Sequence, residues 1–320
     1  MPDVFFYEAF AEEEPVLRQF MPAHISAGYT PLTIQEFGGS EPAARLISTR
    51  TISRVPFAWA PALDGILTRS TGYDHLSEFV ASGSASPALG FLPFYCHRAV
   101  AEQAMLMWMA LLRKLSQQEK AFLTFQRDHV TGAECQGKTL VVVGVGNIGS
   151  EICRVGQALG MRVLAVDIDP RFAEFEYLPV EAALPLADVV VCAMDFNRSN
   201  AGYFDADRIG NCKQGAMFVN ISRGELSPST VLLEGVRSGQ LGGVGLDAFD
   251  HEPALAAALK HGAPSSDPEV LAARELMQLE NVICTPHNAF NTAEAVLRKS
   301  EHSVQQIVAF HESGRFKWQV

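Results

Sequence analysis

The stretch Thr139–Pro170, TLVVVGVGNIGSEICRVGQALGMRVLAVDIDP, constrains the fold of this chain more than any other. It opens on an apolar run, Leu140–Val143, stopped by glycine, which reads as a strand buried on both faces of a parallel sheet. Gly144, Gly146 and Gly149 follow in G-x-G-x-x-G spacing, then Ile152, Val155 and Leu159 at helical intervals. A second apolar run, Arg162–Val166, stops on Asp167. A glycine triplet alone would be no more than a turn. Between a strand and a helix the three glycines serve, in order, a tight turn, close approach to a pyrophosphate, and close packing of helix on strand. The helix N-terminus adds free N–H groups and a positive dipole end. This order predicts a dinucleotide site, with Asn147 and Ile148 in its first helical turn and Asp167 accepting from both ribose hydroxyls. A carboxylate there repels a 2′-phosphate, so NAD is expected over NADP. Arg162 and Arg171 lie near enough to leave some tolerance of NADP.

A chain of 320 residues is long for one core, and two domains are expected. The net charge of −11 argues against a nucleic-acid or anionic-membrane partner. The start, MPDVFFYEAF, lacks the basic region of a signal peptide, and Ala104–Leu112, the longest apolar stretch, is too short for a membrane span. Six scattered cysteines contain no C-x-x-C pair, so no metal site is expected, and a reduced, cytoplasmic protein fits. Cys192 and Cys284, in apolar runs, read as small core residues.

In chain order, residues 3–98 alternate short strands and helices: strands at Val4–Tyr7, Arg45–Ser48 and Gly65–Thr68, a helix at Glu12–Phe20. This is an α/β pattern without a phosphate loop of its own. Ala99–Leu115 is the strongest helical stretch, apolar nearly all round, and suits a connector between two α/β lobes or a subunit interface. Its methionines read as core filler. After a polar connection, strands are expected at Ala187–Ala193, Met217–Ile221, Gly243–Phe249 and Val282–Thr285, with a helix at Val231–Ser238. With Thr139–Val143 and Arg162–Val166 these make a six-stranded sheet. Residues 250–270, with three prolines, read as a surface loop, and Thr292–Phe310 as a long C-terminal helix.

Ligands in such sheets bind beyond the carboxyl ends of the strands, so ionisable residues there are the candidates for chemistry. Arg223, after MFVNIS, can fork onto a carboxylate and a neighbouring carbonyl oxygen. His287, in TPHNAF, suits acid–base work. Glu252, in DAFDHEP, can hold the imidazole in orientation, and Asp247, ending GVGLD, can accept from a carboxamide. Each alone could be an ordinary loop or capping residue. As an ordered set at successive strand ends they point to hydride transfer.

The chain resembles the D-isomer-specific 2-hydroxyacid dehydrogenase family over nearly its whole length. The matching pieces are TRSTGYDHL (68–76), AVAEQAMLMWMALLRK (99–114), GKTLVVVGVGNIG (137–149), AVDIDP (165–170), NISRGELSPSTVLLEGVRSGQLGGVGLDAFDHEP (220–253) and TPHNAF (285–290). The resemblance implies two doubly wound, Rossmann-like or flavodoxin-like domains with the active site in the cleft between them. Residues 1–98 plus 290–320 would form the substrate domain and 99–289 the NAD domain. It implies that Arg223 binds and polarises a 2-oxo acid, that His287 protonates the carbonyl oxygen, and that Glu252 supports His287. Backbone N–H groups of Thr71 and Gly72 would hold the substrate carboxylate. Ala193, Ser222, Asp247 and His287 would join the glycine loop in holding NAD, with Asp247 at the carboxamide. A homodimer through the 99–115 helix is also implied.

Two departures stand out. The family's His-x-Pro after the fourth strand is Ala193-Met194-Asp195 here, and its valine-rich segment before the long helix is LGFLPFYCHR. Tyr95 and Phe290 are similar to aromatics of the D-lactate dehydrogenase branch and would lie near the substrate side chain, which favours a pyruvate-like or phenylpyruvate-like acid. His97 and Arg98 are candidates for a second anionic group. The alternatives are a hydroxypyruvate or glyoxylate reductase of the same family, and, in another class, an NAD-sensing scaffold without turnover, like the corepressors that share this fold. A formate dehydrogenase is disfavoured, because Glu252 stands where that branch has glutamine.

Overall fold

Short runs of β-branched and aromatic residues, each followed by a turn and a helix, place the strands of this protein in parallel. The computed structural model describes residues 1–82 and 87–320. They divide into two compact units, Met1–Cys96 with Asn291–Val320, and His97–Phe290. In the first, β1 (Val4–Phe6), β2 (Ala27–Tyr29), β3 (Leu46–Thr49), β4 (Gly65–Thr68) and β5 (Ala88–Gly90) form a parallel sheet in the order β2-β1-β3-β4-β5. This is the doubly wound order of the flavodoxin-like class. Its core gathers Tyr7, Ile47, Trp59, Leu63, Ile66 and Phe79. The C-terminal helix, Ala293–Ser313, starts on the side-chain cap of Thr292 and packs on β4 and the helix Glu14–Phe20. Gly65 and Gly90 make room for this segment, since a Cβ at either would come within 2.8 Å of Phe310 or 2.5 Å of Phe316.

In the second unit β6 (Thr139–Val143), β7 (Arg162–Val166), β8 (Glu176–Tyr177), β9 (Val189–Cys192), β10 (Ala216–Asn220), β11 (Leu241–Leu246) and β12 (Val282–Cys284) form a parallel sheet, ordered β12-β11-β10-β9-β6-β7-β8. The order reverses between β6 and β9, and a ligand crevice belongs at the carboxyl ends of those two strands. The buried core runs along the sheet through Val141, Leu164, Val190, Phe218 and Val244. The long apolar helix spans His97–Leu112, with Trp108 fully buried, and packs on β10, β11 and the helix Asn147–Ala158. Met107 fills the space above Gly245, as core filler should.

The structure departs from the sequence reading at several places. The second sheet has a seventh strand, β8, only two residues long and at the edge. In the first sheet, β2 and β5 are additional three-residue strands. Residues 250–270 are not a loop: Glu252–His261 and the start of Pro268–Leu276 are helical. Pro253 and Pro268 sit in the first turn, where a helix has no use for the N–H they lack. Part of the polar connection is also helical, Leu115–Phe122, separated from the preceding helix by Lys114 at φ 53°.

Candidate active site

The glycine loop leaves β6 with Gly144 at φ +89°, where a Cβ would lie 2.6 Å from the backbone of Met194. A Cβ on Gly149 would strike Gly144 O at 2.0 Å. These two glycines are demanded by the fold itself. Gly146 differs. It caps the helix Asn147–Ala158 at φ −83°, and among the described residues beyond its chain neighbours the only atom within 4 Å of its absent Cβ is Arg171 Nη2, 3.9 Å away. Space is therefore kept open at a helix N-terminus, beside a guanidinium, which fits a diphosphate. Asp167, at the end of β7, accepts from Val145 N at 2.5 Å and Asp169 N at 2.9 Å, so its carboxylate is tied to the glycine loop. Arg171 pairs with Asp169 at 3.2 Å. Arg162 starts β7, at the other end of the strand, and pairs with Glu176, so it does not serve the cofactor end.

At the end of β9, Ala193 N donates to Val143 O (2.8 Å), and Met194 O accepts from Ser222 Oγ. At the end of β10, Asn220 is fully buried and organises the turn that follows. Its Oδ1 accepts from Ser222 N at 2.9 Å, and its Nδ2 donates to Arg223 O at 2.8 Å and Ser227 Oγ at 2.7 Å. Gly224 packs so closely on Phe249–Asp250 that a Cβ would fall 1.8 Å from the Phe249 carbonyl carbon. The half-buried Arg223 is held between these constraints in extended backbone.

Asp247, at the end of β11, is 1% exposed. Its oxygens accept from Thr285 Oγ1 (2.5 Å), Asn288 N (2.8 Å) and Ala289 N (2.8 Å), fastening the loop that carries His287. These three bonds take three of a carboxylate's roughly four acceptor sites and leave one for a carboxamide. His287 stands at φ +52°, a conformation few non-glycine residues adopt and one that clusters at functional sites. Its Nδ1 lies 2.9 and 3.1 Å from the two oxygens of Glu252. Glu252 is the first residue of its helix, and His251 before it, at φ +50°, pairs with Asp267, the N-cap of the next helix. The hydrogen bond to Asp267 holds the His251 imidazole above its ordinary pKa.

Residues 105–289 match a family model described as D-isomer specific 2-hydroxyacid dehydrogenase, NAD binding domain. The chain belongs to that family. A D-lactate dehydrogenase of Leuconostoc mesenteroides subsp. cremoris is 28% identical over 326 residues, 96% of each chain. One of Escherichia coli is 32% identical over 222 residues, 68% of this chain and 67% of the relative. A solved D-lactate dehydrogenase from Aquifex aeolicus, complexed with NAD and lactic acid, superposes with a TM-score of 0.86 at 26% identity, covering 97% of this chain and 96% of that one. The glycine loop lies within the residues that match the family's NAD binding domain.

In the first unit of this dehydrogenase chain, Thr71 and Gly72 lie just past β4, at the carboxyl edge of the sheet. Ser70 Oγ donates to Gly72 O at 2.6 Å, and Thr71 Oγ1 to Leu92 O at 3.2 Å. Among the described residues no acceptor takes the backbone N–H of Thr71 or Gly72. Tyr95 is buried in the unit, 5% exposed. Phe290, half-buried, ends the second unit. Arg98 pairs with Glu102 on its own helix (2.7 Å) and with Glu151 (3.9 Å).

Asn220 and the His251–Asp267 pair escaped the sequence reading. An asparagine closing an apolar strand, and a histidine before the glutamate of an E-P helix start, were the signals.

Proposed function

We propose that this protein reduces a small 2-oxo acid to the D-2-hydroxy acid with NADH, reversibly, with His287 as the proton donor and acceptor. The observation that carries the reading is the His287–Glu252 pair, held on a loop fastened by Asp247 in the same unit as an open diphosphate cradle. When bound, NADH supplies the hydride. A carboxylate at Nδ1 keeps the proton on that nitrogen, which leaves Nε2 to give a proton to the substrate's carbonyl oxygen on reduction and to take it back on oxidation. Arg223 is assigned the substrate's carboxylate and carbonyl oxygen, where its planar fork binds charge as it develops. The N–H groups of Thr71 and Gly72 are assigned the carboxylate. Ala193 and Ser222 are assigned to border the cofactor, and Asp247 is assigned its carboxamide while fastening the His287 loop. Asp167 sets the preference for NAD, and Arg171 faces the diphosphate. A pyruvate-like acid is the first substrate and a phenylpyruvate-like acid the second, in keeping with the relatives named D-lactate dehydrogenases.

The test is a panel of 2-oxo acids, including glyoxylate and hydroxypyruvate, followed by NADH oxidation and chiral analysis of the product. Turnover of pyruvate or phenylpyruvate to the D-product supports the reading. Preference for glyoxylate or hydroxypyruvate moves the substrate within the family. Tight NADH binding without turnover of any acid sinks the enzyme reading in favour of an NAD-sensing scaffold.

A homodimer is proposed through the region of the His97–Leu112 helix. Leu106, Leu115, Phe122, Leu123 and Phe125 are 44–84% exposed there, an apolar surface suited to a second copy. Sedimentation at micromolar concentration checks it, and a monomer refutes it. Six free cysteines suit a reducing, cytoplasmic location. No helix among the described residues is long and apolar enough to cross a membrane.

A further inference from the structure

Residues 90–96 lie in LGFLPFYCHR, one of the two departures from the family's sequence pattern, and they hold the loop 70–72 from one side. Leu92 N donates to Ser70 O at 3.1 Å, and Leu92 O accepts from Thr71 Oγ1 at 3.2 Å. Cys96 Sγ lies 3.7 Å from the same hydroxyl. The ring of Phe91 meets that of Tyr73, just past the loop, edge to face with centroids 5.2 Å apart. The loop therefore takes its position from this segment.

The segment is held in turn by Gln306, in the helix Ala293–Ser313, which is 0% exposed. Its Nε2 donates to Phe91 O at 2.9 Å and to Trp318 O at 3.2 Å. Its Oε1 accepts from Lys317 N at 2.6 Å and from Trp318 N at 3.2 Å. Both donors and both lone pairs of the amide are thus in use. Residues 316–320 return along β5 as an antiparallel partner. Gly90 bridges to Gln319, Phe91 N donates to Trp318 O at 3.3 Å, and Val320 N donates to Leu89 O at 3.1 Å. This strap covers backbone groups that a bare sheet edge would present. The Trp318 ring packs on those of Phe94 and His302, with centroids 6.0 and 5.2 Å away.

We propose that Gln306 is a positioning residue for substrate binding: it clips residues 316–320 to residues 90–96, and so fixes the loop whose Thr71 and Gly72 N–H groups are assigned the substrate carboxylate. The inference rests on that assignment. Loop donors bind a carboxylate well only when held to within ~0.5 Å, and a loop owes that precision to the hydrogen bonds behind it. A buried amide suits the task, because its loss takes a partner from Phe91 O and from the N–H groups of Lys317 and Trp318 at once.

The experiment measures the Kd of oxamate on the NADH-loaded enzyme, the KM of pyruvate, kcat, and the affinity and stoichiometry of NADH. It compares wild type, Gln306→Leu, Thr71→Val and the double variant. Gln306→Leu should weaken oxamate and raise the KM of pyruvate on the order of tenfold, the size of coupling within one hydrogen-bond network. The kcat should change less than KM. NADH, assigned to the other unit, should keep its stoichiometry and its affinity within about twofold, which a general loss of folded protein would not allow. Thr71→Val keeps the backbone N–H but removes the hydroxyl that ties the loop to Leu92. In that background the loss from Gln306→Leu should shrink to roughly threefold or less, since both changes act on one loop. Unchanged oxamate affinity in Gln306→Leu, an equal loss of NADH affinity, or a full loss retained in the double variant overturns the proposal. If Gln306→Leu does not fold, Trp318→Ala decides: it should weaken oxamate roughly threefold with NADH affinity kept, and unchanged oxamate affinity overturns the proposal. Wild-type enzyme that neither turns over a 2-oxo acid nor binds oxamate overturns the functional reading, and this inference with it.

Discussion

Gly146→Ala and Gly149→Ala should fail in opposite ways, and the contrast isolates the cofactor cradle from the fold. A Cβ at position 149 would lie 2.0 Å from Gly144 O and 3.0 Å from its carbonyl carbon. Overpacking costs ~1–3 kcal/mol, and here the obstacle is backbone that cannot rotate away, so ~3 kcal/mol or more of stability should be lost. At position 146, among the described residues, the same methyl meets only Arg171 Nη2 at 3.9 Å, and φ is negative, at −83°. Folding stability should stay within ~0.5 kcal/mol, as for a surface substitution. The methyl would instead occupy the approach to the helix N-terminus. If crowding a diphosphate there costs the same ~1–3 kcal/mol, NADH affinity falls roughly 5- to 150-fold. Denaturant unfolding and fluorescence titration of NADH on both variants give the two numbers independently. Wild-type NADH affinity in Gly146→Ala, or a stability loss matching that of Gly149→Ala, would refute the assignment of that space to the cofactor.

Three further outcomes are expected. His287→Ala should lower kcat by about 10²–10⁴-fold with NADH binding retained, and Glu252→Gln should lower it less; near wild-type kcat in His287→Ala would remove the role given to it. Asp167→Ala should shift the NAD/NADP ratio of kcat/KM toward NADP; an unchanged ratio means that Asp167 does not read the ribose. Stability should fall in acid through Glu13. Burial pushes that carboxyl up, but Arg69 and Lys299 outweigh it and hold it at about 2, below the ordinary 4.5. Its contribution is therefore complete above about pH 4.5 and lost as pH falls toward 2. Glu13→Gln, which strands two buried cations, should cost ~3–5 kcal/mol at neutral pH and flatten that acid limb; a melting curve against pH that is the same in both proteins would contradict this.

What could be read from the sequence depended on how far each signal extends along the chain. β6 and β7 are five-residue runs buried almost throughout and separated by a glycine loop, so strand, turn and helix declare themselves together. β2, β5 and β8 are two or three residues at or near sheet edges, too short for any periodicity to appear. Residues 250–270 misled because proline was taken as a breaker, although it serves equally as the first residue of a helix, as at Pro253 and Pro268. The strand-end residues Arg223, Asp247, Glu252 and His287 were legible through their order. Which of them touch was not: His287 meets Glu252 from 35 residues away, and Asp247 faces inward to three donors of the His287 loop. The ion cluster could not be seen at all, because Arg69 and Glu13 are 56 residues apart and their pairing follows from sheet order. Tyr95, expected near the substrate side chain, is 5% exposed in the first unit.

The central claim is hydride delivery to the C2 carbon of a 2-oxo acid with proton transfer through His287. It is tested most directly by incubating the protein with pyruvate and NADH deuterated at the nicotinamide C4, then analysing the product by mass spectrometry and chiral chromatography. D-lactate carrying deuterium at C2 is expected from the wild type, formed far more slowly by His287→Ala. Product of the L configuration, or product without deuterium at C2 from either C4-deuterated stereoisomer of NADH, would contradict that claim.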